Sequence, residues 1–117
     1  MTDEVSTHQA EDDARNDAIL IWVNGQLKPK AEAMVSVYDS GFMLGDGVWE
    51  GIRLYNGCWT FLDAHMDRLF EAAKAIDLDI GMTRDQVISA VSETQLANGM
   101  TTDAHARLMV TRGVKVR

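Results

Sequence analysis

The sequence predicts an α+β fold, an antiparallel sheet with two helices packed on one face. Three observations carry that expectation. Two Asn-Gly pairs, Asn24-Gly25 and Asn56-Gly57, each stand between β-type runs, and this is the strongest short-range hairpin signal. From Asp63 the apolar period changes to the i, i+3, i+4, i+7 spacing of amphipathic helices, and a strand-like run returns only at Ala104. Helices grouped behind strands, rather than alternating with them, favour a layer pair over a parallel sheet.

Taken in order, residues 1–17 (MTDEVSTHQAEDDARND) have many charges and no usable hydrophobic period, so they are expected to form an acidic arm, either disordered or a frayed helix. Residues 18–117 are expected to form one small α+β domain. Ala18 to Val23 reads as a strand, and Gln26 to Lys28 starts its return. Lys30 to Tyr38 is a connector with some strand character, followed by a glycine-rich loop, GFMLGDG. Val48 to Tyr55 and Cys58 to Leu62 form the second hairpin. Asp63 is placed to cap a helix whose face carries Met66, Leu69, Phe70, Ala73 and Ile76. Thr83 and Gln86 make a capping box for a second helix, lined by Val87, Ile88, Val91 and Leu96 and ended by Asn98-Gly99. Ala104 to Thr111 is the last strand, and Arg112-Gly113 begins a turn.

Composition narrows the function classes. Of 117 residues, 46% are hydrophobic and 25% charged, a soluble globular balance sized for one domain. The net charge of -7 is concentrated in the first seventeen residues, which hold six acids against Arg15 alone. No basic stripe exists to displace counterions, which argues against a nucleic-acid partner. The single cysteine, Cys58, permits no internal disulfide and fits a reducing compartment as a small apolar strand residue. No apolar run approaches the roughly 20 residues that span a bilayer, so no membrane partner is expected and the cytoplasm is the default location.

The stretch GFMLGDGVWEGIRLYNG holds the first candidate residues. Gly45-Asp46-Gly47 lacks the lysine and glycine spacing of phosphate loops and precedes a strand, so alone it reads as a tight turn. Alternation along the strand puts Val48, Glu50 and Ile52 on one face and Trp49, Gly51 and Arg53 on the other. The second set is either a surface Trp packed over an arginine stem, or the wall, gap and anion hook of a small-molecule pocket. His65 and Arg68 share a helix face at i and i+3; Arg68 can pair with Asp67 or Glu71, or offer its planar fork to a phosphate or carboxylate. No second histidine or cysteine lies at a spacing that would make His65 a metal ligand. Arg107, Arg112 and Arg117 recur every five residues, which puts Arg107 and Arg112 on opposite faces of an extended strand. None of Lys28, Lys30, Lys74 and Lys115 has the setting of a desolvated catalytic amine, and no Ser-His-Asp or Cys-His set is evident.

The ordered set DSGFMLGDGVWEGIRLYNG, WTFLDAHMDRLFEAAKAIDL and ARLMVTRG resembles the N-terminal domain of class IV (fold-type IV) pyridoxal-phosphate-dependent aminotransferases, over about Ile19 to Arg117. That family includes the branched-chain and D-amino-acid aminotransferases and aminodeoxychorismate lyase. The resemblance implies pyridoxal 5'-phosphate as cofactor, an amino acid and a 2-oxo acid as substrates, and a homodimer. It assigns the cofactor phosphate to Arg68, through the H-x-x-R-L motif. Trp49 falls at the aromatic that lines the substrate side of the cofactor, and Arg53 follows on the same face. A carboxylate-binding arginine of the D-amino-acid members falls on Arg117, whereas an arginine of the branched-chain members, in a Y-I-R-P-like context, falls near Arg107. Here His105 replaces that tyrosine and Leu108 that proline, so both branches stay open.

In this family the cofactor-bonding lysine belongs to a C-terminal domain beyond the stretch matched. The chain is therefore expected to be the first domain of a longer enzyme, inactive alone. Two alternatives stand beside the aminotransferase: a carbon–carbon lyase of the aminodeoxychorismate type on the same scaffold, and a non-catalytic binding or dimerisation domain.

Overall fold

The computed structural model describes residues 13–115; residues 1–12 of the acidic arm, and Arg117, lie outside them. Five strands and three helices follow in the order β1 (Leu20–Val23), β2 (Gln26–Pro29), α1 (Ser40–Leu44), β3 (Gly47–Tyr55), β4 (Cys58–Trp59), α2 (Leu62–Ala75), α3 (Arg84–Ala97) and β5 (Ala104–Thr111). Both Asn-Gly turns form with positive φ at each central residue, 49° and 90° at Asn24-Gly25, 48° and 77° at Asn56-Gly57. This left-handed geometry matches the twist of antiparallel strands.

The strands divide into two antiparallel sheets, the hairpin β1-β2 and a three-stranded sheet ordered β4-β3-β5. β3 is central, paired with β5 from Gly47↔Thr111 to Leu54↔Ala104. Its inward residues Ile52 and Leu54 are fully buried, as are Met66 and Leu69 of α2. Val87 of α3 completes the cluster, with Val48, Trp59, Phe70, Ile88, Leu108 and Val110 packed around it. Both long helices therefore cover one face of this sheet, as the apolar periods require. The Asn98 side chain at the end of α3 ties the β1-β2 hairpin to it: its amide accepts from the Leu20 N–H at 2.8 Å and donates to the Leu20 carbonyl at 2.9 Å.

Several local expectations change. The glycine-rich loop contains α1, a five-residue helix capped by Asp39, whose carboxylate accepts from the Gly41 N–H. Gly45 ends it at φ 66°, a left-handed position suited to glycine. No strand forms in the 30–38 connector, which holds a single 3-10 turn at Lys30–Glu32. β4 stops at Trp59, because Phe61 adopts φ 54° and turns the chain directly into α2. The position before α2 is thus Phe61, without a side-chain cap, and Asp63 lies inside the first turn, where it accepts from Arg84. Cys58 is exposed on this short strand. Leu96 points to solvent, since five residues of helix carry it about 140° around the axis from buried Val91. At the N-terminal side, Ala14–Asn16 form a 3-10 turn, and Arg15 donates to the carbonyls of Thr102 and Asp103 ahead of β5.

The start of β3 is fixed from two sides. Arg112 donates through Nε to the Asp46 carboxylate at 2.7 Å and through Nη2 and Nη1 to the carbonyls of Ile76 and Asp77 at the end of α2. Gly47 runs so close to β5 that an added Cβ would stand 2.6 Å from the Val110 carbonyl oxygen. Gly47→Ala is accordingly expected to destabilise the protein by about 1–3 kcal/mol, because backbone rather than a side chain must yield. The capping box at Thr83 and Gln86 is complete in both directions, so Thr83→Ala is expected to cost about 1 kcal/mol. Urea unfolding of both variants checks these values.

Candidate functional site

Because side chains alternate along β3, its two faces serve different ends. On the face away from the helices, Trp49, Gly51 and Arg53 lie opposite Met109, Arg107 and His105 respectively. Trp49 is 57% exposed. The Arg107 guanidinium stacks over its ring at 4.5 Å from the centroid, a diagonal cross-strand cation–π contact. Gly51 leaves a gap that the His105 ring occupies, with Cε1 2.8 Å from where a Cβ would stand. Arg53 meets Asp103 only at 3.8 Å between two exposed side chains, a screened pair of little consequence. The result is an open platform of one indole, two guanidiniums and an imidazole. It can hold a flat or apolar group against Trp49 while offering cationic donors to a carboxylate.

On the helix-packed face the middle of β3 carries an acid. Glu50 is 3% exposed and sits between Val48 and Ile52. Its carboxylate accepts three bonds from α2: Arg68 Nε at 2.8 Å, Arg68 Nη2 at 2.7 Å and His65 Nδ1 at 2.7 Å. The spacing of His65 and Arg68 puts both on one helix face, as the sequence implies, but the partner of Arg68 is neither Asp67 nor Glu71. Asp67 is taken by Arg84. The Arg68 side chain is 70% exposed, and three of its five N–H donors, two on Nη1 and one on Nη2, make no bond among the described residues. Such a guanidinium, fixed along one edge and open along the other, fits a phosphate or carboxylate.

The structure thus gathers Trp49, Arg53 and Arg107 on one face and ties Arg68 to the other through Glu50, the residue next to Trp49. Arg112 turns away from Arg107 to Asp46, so the two do not share a ligand surface. Arg117 lies outside the described residues. Sequence reasoning placed Glu50 on one strand face with Val48 and Ile52 without giving it a task. The signal was present: a carboxylate centred in an apolar strand face must find charged partners or become protonated. No lysine among the described residues is buried, and among them no three His, Cys, Asp or Glu side chains converge as a metal site.

Comparison with known proteins is consistent along the chain. The family described as amino-transferase class IV matches residues 47–116. Branched-chain-amino-acid aminotransferase-like protein 1 of Arabidopsis thaliana is 45% identical over 101 residues, which is 86% of this chain and 18% of that protein. Among solved structures, the branched-chain aminotransferase of Thermoproteus uzoniensis with norvaline superposes with a TM-score of 0.74 at 34% identity, over 86% of this chain and 35% of that one. The T.th. branched-chain amino acid aminotransferase complexed with N-(5'-phosphopyridoxyl)-L-glutamate gives 0.76 at 30% identity, over 85% and 34%. The chain therefore spans about a third or less of the proteins it matches.

The paired carboxylate has a consequence in acid. Hydrogen bonds from Arg68, opposed by burial and reinforced by His65, hold the Glu50 carboxyl below its ordinary range. A carboxyl depressed in the folded state stabilises the protein above its unfolded pKa, about 4.3, and that contribution is lost as the pH falls through the folded value. Thermal midpoints should therefore drop below about pH 4.3 more steeply in the native protein than in Glu50→Gln. Equal slopes would show that the pair contributes nothing to stability.

Proposed function

We propose, because this chain belongs to the class IV amino-transferases, that the protein moves an amino group from an amino acid to a 2-oxo acid with pyridoxal 5'-phosphate as its cofactor. The observation that carries this reading is the Arg68 guanidinium, held by Glu50 along one edge and open along the other. Its remaining donors suit a dianionic phosphate, to which arginine binds through two parallel bonds. The cofactor, when bound, supplies the electron sink that stabilises negative charge at the substrate's α-carbon. The residues of this chain do the rest of what falls to it.

Arg68 anchors the phosphate end. Trp49 walls the substrate side, and its indole excludes water from the apolar part of an amino acid. Arg107, kept in place by stacking on Trp49, and Arg53 beside it provide charge for a substrate carboxylate. Arg117 is the further carboxylate-binding candidate in a D-amino-acid reading. The branched-chain reading rests on Arg107 and on the identity shared with branched-chain enzymes. The lysine that bonds the cofactor belongs, in this proposal, to the longer protein, which works as a cytoplasmic homodimer.

Two measurements on the full-length protein test the reading. Arg68→Ala should lose cofactor on gel filtration, with at least about tenfold weaker rebinding; unchanged occupancy would remove Arg68 from the site. Consumption of a 2-oxo acid in step with the amino donor should accompany turnover. Release of a carbon fragment without an amino acceptor would assign the protein to the lyases instead.

A further inference from the structure

Glu50 is an expensive choice for its position. Its neighbours on the inward face, Val48 and Ile52, are apolar, and it is almost completely removed from water. An apolar side chain there would pack against α2 without any need for charge compensation. The carboxylate instead requires three bonds, and all three come from two residues one helical turn apart.

The benefit does not lie in burying Arg68, whose side chain is mostly exposed. It lies in orientation. A long side chain on the surface of α2 would otherwise sample many rotamers, and a ligand would have to immobilise it on binding. Glu50 takes Nε and one proton of Nη2, which fixes the guanidinium plane and directs Nη1 and the remaining Nη2 proton outward. His65 in turn donates to Oε1, the oxygen that also receives Nη2, and so holds the carboxylate against rotation.

We infer that Glu50 is a positioning residue, which with His65 pre-orients Arg68 for the cofactor phosphate through its Nη1 edge. This rests on the reading of Arg68 given under Proposed function. A competing role is physically distinct: a carboxylate that merely neutralises the arginine would weaken its pull on phosphate, and its removal would tighten binding. A purely structural ion pair would affect folding and leave phosphate recognition alone.

The test uses the full-length protein freed of cofactor and compares two probes, pyridoxal 5'-phosphate and pyridoxal, by their absorbance on titration. Native protein should prefer the phosphorylated form. Glu50→Gln should weaken pyridoxal 5'-phosphate by about tenfold or more while leaving pyridoxal within about twofold. In an Arg68→Ala background the same substitution should add nothing, because both act through one contact. His65→Asn, which retains a donor near Nδ1, should keep most of the preference. Tighter binding, an equal loss for both probes, or additive losses in the double variant would each overturn the inference. If Glu50→Gln does not fold, His65→Leu takes its place with the same expectation and the same refutation. Should Arg68→Ala itself retain the preference for the phosphorylated probe, the reading of Arg68 fails. Should Arg68→Ala lose it while Glu50→Gln retains it, only the positioning role fails.

Discussion

A carboxylate buried in the middle of an apolar strand face can persist only if its charge is met from the opposite layer. Here that requirement falls on α2, which must present His65 and Arg68 to Glu50 with both arginine nitrogens in reach. Apolar contacts between Ile52, Met66 and Leu69 would tolerate a small slide of the helix along the sheet; three charge-assisted bonds to one carboxylate tolerate far less. The ion pair therefore sets the registration of helix on strand, while burial of the surrounding side chains supplies the bulk of the attraction.

The rest of the architecture keeps β3 where that registration is useful. Its start is fixed by the approach of Gly47 to β5 and by Arg112, which bridges Asp46 to the carbonyls of Ile76 and Asp77 just past α2. The Ile76 carbonyl, at the C-cap, has no partner within the helix, so the arginine meets a need that every helix end has. Its neighbour Asp39 links α1 to Thr111 across the same corner. Strand, helix end and short helix are thus joined at one point, from which β3 runs with one face toward the core and the other toward open space.

Much of this was legible in the sequence because it depends on near neighbours. The two Asn-Gly turns, the alternation in β3, the helix periods and the Thr83 capping box are all specified within a few residues. What escaped depends on distant ones. α1 is too short to have a hydrophobic period, and its cap is held partly by Thr111, 72 residues away. Asp63 has the right chemistry for a cap, but the left-handed turn at Phe61 starts the helix earlier. The site divides in the same way. Trp49, Arg53 and Arg107 could be placed on their strand faces by counting, whereas the true partner of Arg68 sits on another element, 18 residues back.

The alternation of β3 has a consequence for how such a protein can change over time. Residues 49, 51 and 53 face outward and bear on what is bound; residues 50, 52 and 54 face inward and bear on whether the chain folds. Variation in the first set can reshape the platform with little effect on the core, since none of its members packs there. Variation in the second set is penalised regardless of the ligand. A single nine-residue strand thus separates heritable adjustment of specificity from maintenance of the fold, and a lineage could explore new substrates through Trp49 or Arg53 without first acquiring stabilising changes elsewhere.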